Sequence, residues 1–235
     1  MRKRFIALGV LSAVIAGIIN LPLRWVAPHV MPDGLGQNLT YIGTVWNGQV
    51  SGLDYIQTAN FTLNPKALVS GGLPLAFQTR SNAMAVSGQA SQSRLNDIRF
   101  TGTLAKLPTR DGRLKELAGQ VNISLSDMQI EDNNCRSAQG QVSTDFLRLN
   151  RARWQWQGPE LKGPISCEDG ELVVNLLGKD NNQNIRADLR LFKDGRYAAN
   201  FTVQTSQPEA GVVLPLYGFE LVGRDYKLTE QGQWR

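Results

Sequence analysis

Most of the chain alternates polar and apolar residues in short runs of about six to ten, separated by Gly, Asn, Asp and Pro. This two-residue alternation is typical of half-buried strands, and apolar residues at helical spacing are nearly absent. The pattern predicts a mainly β fold over residues 41–235, either a large curved antiparallel sheet or a sandwich-like domain. The predicted strands are 41–46, 49–56, 59–64, 73–80, 83–90, 96–105, 118–126, 138–147, 151–157, 171–178, 185–193 and 197–205.

Helix is a minor component of this pattern. Residues 65–70 begin with a proline and predict about one helical turn. Residues 208–216 also begin with a proline, and Pro215 limits their length. We expect one short helix at each place.

The hairpin formed by 185–193 and 197–205 can be aligned from its apolar positions. A two-residue Asp194-Gly195 turn would mix apolar and polar faces. A three-residue loop, residues 194–196, keeps the faces separate, because a shift of one residue turns every side chain over. We therefore predict three apolar cross-strand pairs: Leu191 with Ala199, Leu189 with Phe201, and Ala187 with Val203.

A second hairpin is predicted around Trp46, Asn47 and Gly48. Asn-Gly is the strongest short hairpin signal, because a type I′ turn needs positive φ at both central residues. This turn would pair Trp46 with Gln49. Trp46 is then a structural residue of the first hairpin, and Trp46→Ala is expected to lower stability.

The N-terminus predicts a membrane anchor. Residues 5–23 are uncharged and match the length that spans a bilayer, and Arg2, Lys3 and Arg4 favour a cytoplasmic tip over residues 1–4. A cleaved signal peptide is the alternative, but no small-residue cleavage pattern follows. Residues 24–40 contain two prolines and two glycines and predict a juxtamembrane linker.

The net charge of +5 is concentrated near the start of the chain. Four of the 25 basic residues, Arg2, Lys3, Arg4 and Arg24, precede any acidic residue, which leaves 21 basic residues against 20 acidic ones. Nucleic-acid binding needs a positive face for the phosphates. We therefore predict no nucleic-acid partner.

Cys135 and Cys167 are the only cysteines. In an exported domain they predict a disulfide, with two buried thiols as the alternative. The bond would close a loop of about 33 residues and stabilise the fold by roughly 3.5–4 kcal/mol. Two cysteines and a single histidine, His29, cannot supply the usual four metal ligands, so no metal and no cofactor are predicted.

Catalytic residues are not recognisable in the sequence. His29 lies just beyond the predicted span, far along the chain from the β domain. The acidic pairs Glu131-Asp132 and Glu168-Asp169 adjoin turn residues, where solvated acids are common. We predict that the protein is not an enzyme.

Residues 151–157 offer one candidate ligand face. Arg151 and Arg153 are followed by Trp154 and Trp156, a combination able to contact nucleic acid or lipid headgroups. The alternative is a half-buried strand with Ala152, Trp154 and Trp156 inside, and we favour this second interpretation.

Several short segments occur in an order that resembles the type II secretion system protein N family, also called general secretion pathway protein N. After a basic N-terminus and one apolar span they are Gly43-Thr-Val-Trp-Asn-Gly48, Cys135 followed by Ala138-Gln-Gly140, Trp156-Gln-Gly-Pro159 with Leu161-Lys-Gly163, Cys167-Glu-Asp-Gly170, Gly195-Arg-Tyr197 and Gly218-Phe219. The resemblance implies a single-pass bacterial inner-membrane protein with a cytoplasmic N-terminus and a periplasmic domain. It further implies a non-enzymatic accessory subunit that works with other secretion components to move folded proteins across the outer membrane.

A looser likeness concerns shape alone. An anchored, strand-rich periplasmic chain is similar to the curved β-groove proteins that carry lipids between membranes, which makes lipid binding the alternative function. Strands facing a packed core and strands facing an acyl chain show the same alternation. The sequence therefore leaves open whether the sheet closes on a core.

Overall fold

The structure, a computed structural model, describes residues 17, 20–30, 39–53, 56–107 and 114–233. Contacts divide the chain into two compact units, unit 1 (residues 1–82) and unit 2 (residues 83–235).

The prediction of a mainly β, antiparallel fold is confirmed. Each unit contains one open sheet in its described part, and neither forms a sandwich. The strands are β1 Thr40–Gly43, β2 Asn47–Leu53, β3 Ile56–Leu63, β4 Leu75–Arg80, β5 Met84–Ala90, β6 Arg94–Thr103, β7 Gln120–Glu131, β8 Asn134–Thr144, β9 Leu161–Glu168, β10 Glu171–Lys179, β11 Gln183–Leu191, β12 Arg196–Thr205, β13 Glu220–Val222 and β14 Asp225–Gln233. The helices are α1 Leu23–Val30, α2 Pro65–Ser70, α3 Phe146–Leu149, α4 Arg151–Trp154 and α5 Pro208–Leu216, with 3-10 turns at Leu104–Lys106 and Leu114–Glu116.

Unit 1 contains strands β1 to β4 in chain order, and helix α1 covers part of its sheet. Leu23 and Ala27 of α1 are buried against Val50 of β2. Part of the predicted linker 24–40 is thus helical and packed. Gly48 makes this close approach possible, since a Cβ there would lie 2.7 Å from Leu23 Cδ2 and 2.8 Å from the Phe61 ring.

The predicted Asn47-Gly48 turn is wrong. Gly43 lies opposite Gly48, so residues 44–47 form the loop, and neither Asn47 nor Gly48 has positive φ. Asn47 and Gly48 instead pair with β3, and Thr44 Oγ1 accepts hydrogen bonds from the backbone N–H groups of Trp46 and Asn47. Pairing with a third strand therefore overrides the local turn preference.

Unit 2 contains ten strands in the order β5-β6-β7-β8-β9-β10-β11-β12-β14-β13. Strand β14 lies between β12 and β13, which places the three-residue β13 at the edge of the sheet. The sequence analysis missed β9, β13 and β14. The buried residues form two clusters, one around Leu125, Val142, Ile165 and Val174 and the other around Trp156 and helix α5.

The predicted register of the β11–β12 hairpin is shifted by two residues. Leu191 lies opposite Tyr197, Leu189 opposite Ala199 and Ala187 opposite Phe201. The loop has three residues but comprises 193–195, because Gly195 takes a positive φ of 86° at its end and donates to the Phe192 carbonyl. A shift of two keeps every side chain on its predicted face, so the apolar face itself is correct.

The predicted disulfide is confirmed. Cys135 of β8 is bonded to Cys167 of β9, with their Cα atoms 5.5 Å apart. The Cys135 backbone N–H also donates to the Gly170 carbonyl at 2.9 Å, which joins the start of β8 to the β9–β10 turn.

The predicted anchor falls largely outside the described residues. Of residues 5–23, the structure describes only 17 and 20–23. Among the described helices, none has both the length and the apolar content needed to cross a bilayer.

Candidate functional site

Unit 2 contains an apolar cavity of about 410 Å³. Strands β11, β12 and β14 supply one wall. Most of the remaining lining comes from helix α5 and the segment around α3 and α4, together with Leu117 and with Leu161 of β9. Its volume lies within the range typical of small-molecule sites. The lining residues are Leu117, Phe146, Leu147, Trp154, Trp156, Leu161, Ile185, Leu189, Tyr197, Ala199, Phe201, Val203, Val213, Leu214, Tyr217, Phe219, Leu228 and Glu230.

The strand wall follows from the apolar face of the β11–β12 hairpin. Ile185 and Leu189 of β11 alternate with residues on the opposite face, and Ala199 and Val203 of β12 lie on the same side. Ala199 is the smallest of these side chains and therefore leaves space on this wall. Leu228 of β14 extends the wall beside Phe201, its cross-strand partner.

Helix α5 closes another side with an unusual distribution of apolar residues. Ala210, Val213 and Leu214 are buried, while Val212 and Leu216 on the same helix are 70 % and 79 % exposed. Glu209 is the only charged residue of the helix. The helix therefore carries apolar side chains both on its inner face and on its outer face.

The predicted strand over 151–157 is wrong. Residues 151–154 form helix α4, and Gln155 ends it in the left-handed conformation with φ of 53°. Ala152, predicted to lie inside with the tryptophans, is exposed. The one-turn helix and the reversal at Gln155 still bury both tryptophans, so alternating burial did not require a strand.

Trp154 and Trp156 line the cavity, and both indole N–H groups are hydrogen-bonded. Trp154 Nε1 donates to the Tyr217 hydroxyl at 2.8 Å, and Trp156 Nε1 donates to Gln183 Oε1 at 3.0 Å. Gln183 is held in turn by its donation to Asp180 Oδ2 at 2.7 Å. The polar edge of each ring is thus satisfied by protein, and the apolar faces are left to line the cavity.

The two arginines of the candidate ligand face lie apart from the cavity lining. Arg151 and Arg153 are exposed on α4, and Arg153 pairs with Glu116. The hydrogen bond with Glu116, followed by the Tyr217 hydroxyl, raises the pKa of Arg153 above its usual value. The structure therefore brings together Trp154 and Trp156 but directs Arg153 to a surface ion pair.

Asn150 is a structural residue of this site that the sequence analysis missed. Its side chain is buried and exchanges two hydrogen bonds with the backbone of Ala118, at 3.0 Å and 2.6 Å, and donates a third to the Phe146 carbonyl. These bonds fix the junction of α3 and α4. The partner lies 32 residues away, so no local pattern could have revealed it.

The acidic pairs considered as catalytic candidates lie at tight turns. Asp132 and Asn133 form the β7–β8 turn with positive φ, and Asp169 and Gly170 form the β9–β10 turn. Glu131 pairs with Arg136, and Glu168 pairs with Arg190. Across the part of the chain that the structure describes, no three His, Cys, Asp or Glu side chains converge as metal ligands.

Comparison with known proteins adds one match. The family model described as type II secretion system (T2SS), protein N matches residues 40–229. The chain belongs to the type II secretion system protein N family. The resemblance found in the sequence is confirmed, and the match includes about half of unit 1 and nearly all of unit 2. No curated protein and no solved structure matches the chain.

Proposed function

We propose that the protein is a non-enzymatic accessory subunit of the type II secretion system, supporting assembly of the system or export of folded proteins across the outer membrane. The observation that carries this proposal is the family match over residues 40–229. The proposed partners are the inner membrane and other secretion components.

We further propose a single-pass topology, with the N-terminus in the cytoplasm and the β units in the periplasm. The uncharged residues 5–23 and the preceding Arg2, Lys3 and Arg4 support this orientation. The disulfide between Cys135 and Cys167 supports an oxidising compartment for unit 2.

Deletion and crosslinking test the secretion role. A strain lacking the protein should accumulate a folded secretion substrate in the periplasm, and a photoreactive residue at exposed Val212 or Leu221 should crosslink to a secretion component. Val222→Asp places a charge on the exposed edge strand β13, and its effect on secretion and crosslinking is measured in the same assay. Unchanged secretion in the deletion strain together with no crosslink to any secretion component would refute the proposal.

A second candidate activity is binding of a lipid acyl chain in the apolar cavity. The supporting observation is the volume of about 410 Å³ lined almost entirely by apolar side chains, with Glu230 as the only charged residue among the described residues of the lining. An acyl chain is the occupant that such a lining favours, with its headgroup outside.

Substitution of one wall residue tests the lipid candidate. Ala199→Leu places a larger side chain in the cavity, whereas Ala198→Leu makes the same change on the opposite face of β12. Mass spectrometry of gently extracted protein should find lipid in the wild type and in Ala198→Leu, and a loss in Ala199→Leu. Absence of lipid from all three would refute the candidate without affecting the secretion proposal.

A further inference from the structure

Helix α2 of unit 1 is formed yet almost uncovered. None of its six residues is buried, and Val69 and Leu68 are 91 % and 53 % exposed. Both ends are well defined, because Asn64 Oδ1 accepts from the Lys66 backbone N–H at 3.0 Å and Gly71 ends the helix with φ of 72°. A single capped helix of this length gains little stability in water without a surface to pack against.

Backbone hydrogen bonds place α2 near the end of the apolar N-terminal segment. Leu63, two residues before α2, donates to the Trp46 carbonyl at 2.7 Å, and the neighbouring Val45 donates to the Leu21 carbonyl at 3.1 Å. Pro22 forms an isolated bridge with Thr44 of the same loop. The β1–β2 loop therefore joins the start of α2 to the last residues of the uncharged segment 5–23.

The charged side chains described in unit 1 are basic. They are Arg24, Lys66 and Arg80, whereas Asp33 and Asp54 of the same unit lie outside the described ranges. Lys66 lies on α2 itself. Trp25, 62 % exposed on α1, is of the type enriched at the boundary between lipid headgroups and acyl chains.

We propose that helix α2 is a membrane-contact element, with Leu68 and Val69 inserted at the headgroup–acyl boundary and Lys66 among anionic headgroups. The helix is too short to bind a bilayer strongly alone, but the adjoining apolar segment holds it at the surface at high effective concentration. The inference rests on the proposed function only in requiring residues 5–23 to enter the membrane. A protein surface covering α2 is the competing outcome of the test.

A fluorescent label at one position reads the environment directly. The two native cysteines are joined in the disulfide, so an introduced cysteine is the site of thiol labelling. We choose Val69→Cys for α2 and Arg80→Cys as the matched control. Arg80 is exposed at the opposite end of β4 in the same unit, about 17 Å along the strand from Leu75.

The full chain, labelled with an environment-sensitive dye, is reconstituted in vesicles of phosphatidylethanolamine and phosphatidylglycerol. We expect a blue shift and several-fold stronger quenching by lipid-borne spin labels at residue 69 than at residue 80, with iodide in water quenching residue 80 more. Replacing phosphatidylglycerol with phosphatidylcholine should reduce the lipid-borne quenching at residue 69. Lys66→Glu should reduce it as well.

Other outcomes overturn the inference in distinguishable ways. If the protein floats with vesicles but residue 69 is quenched by iodide as strongly as residue 80, the membrane contact is refuted and the anchor stands. Protection of residue 69 from both quenchers would show that protein, and not lipid, covers α2. If the chain neither inserts nor floats, both the anchor and the contact are refuted, while the secretion role is still tested by deletion.

Discussion

Units 1 and 2 use the same succession of antiparallel hairpins but stabilise it differently. Unit 1 has a small core in which α1, directly after the apolar N-terminal segment, packs on β2. Unit 2 has two apolar clusters, a disulfide and several surface ion pairs. Unit 2 is thus stabilised by interactions among its own residues, whereas the core of unit 1 depends on the packing of α1, which follows the apolar N-terminal segment.

The largest effect is expected from Trp156→Ala. Trp156 is 3 % exposed, and its loss would leave a void and remove the partner of Gln183 Oε1, at a cost of about 3–5 kcal/mol in the free energy of unfolding. Urea unfolding would measure the cost, and hydrogen exchange should show faster exchange in unit 2 peptides. Trp156→Phe keeps an aromatic ring and removes the indole N–H, so it should cost about 1–3 kcal/mol. Equal acceleration in unit 1 peptides would contradict the contrast.

The next largest effect is expected from reduction of the disulfide. The bond closes a loop between residues separated by 32 positions, so reduction should lower the free energy of unfolding by roughly 3.5 kcal/mol in the chain-entropy model. The measurement is urea unfolding of oxidised and reduced protein. The double variant Cys135→Ser, Cys167→Ser should match the reduced protein and be indifferent to reductant. If both cysteines react with a thiol-labelling reagent in protein prepared without reductant, the bond does not form in solution.

Gly48→Ala tests unit 1. The added methyl group would meet Leu23 Cδ2 at 2.7 Å and the Phe61 ring at 2.8 Å, and overpacking of this kind costs about 1–3 kcal/mol. Hydrogen exchange of peptides from α1 and β2 should accelerate. Gly72→Ala is the control in the same unit, because its nearest contact is 3.3 Å and its φ is not positive. A similar change in both variants would show that the α1 packing is not what limits unit 1.

The smallest expected effect is on the stability of the fold in acid. The Asp194 carboxylate accepts hydrogen bonds from the backbone N–H and from the side chain of Arg196. The backbone hydrogen bond, followed by the side-chain one, lowers the pKa of this carboxyl below its ordinary 3.8. Because the folded pKa is lowered, the stabilisation is present above pH 3.8 and is lost as the pH falls through the lowered value. Wild type and Asp194→Asn, unfolded in urea across this range, should differ slightly above pH 3.8 and converge below it. A difference that persists in stronger acid would contradict this origin.

Alternation predicted the faces of the strands better than their registers. In the β11–β12 hairpin the error was two residues, which leaves each side chain on its face, so the apolar wall of the cavity was identified correctly. The exact register depended on Gly195 ending the loop. The predicted turn of the first hairpin was wrong for another reason. Asn47 pairs with Thr62 of β3 and is therefore part of a strand.

The rest of the site depends on contacts that are distant in the sequence. Strand β9 carries Gly163 and Pro164, residues that argue against a strand when read alone, yet both pair with β8. Strand β14 is largely polar and becomes part of the cavity wall only because it inserts beside β12. Trp154 and Trp156 were recognised as notable, but their partners Tyr217 and Gln183 follow from packing across the unit.

The position of β14 also has a consequence for the order in which the protein forms. Within each unit, every strand from the second of that unit up to β12 pairs with the strand made just before it, so a chain emerging N-terminus first can add hairpins one at a time. Strand β13 breaks this sequence, because it pairs with β14, the strand made after it, and β12 also pairs with β14 and not with β13. A chain stalled before residue 225 would therefore end in an unpaired β12 edge, open to pairing with another molecule.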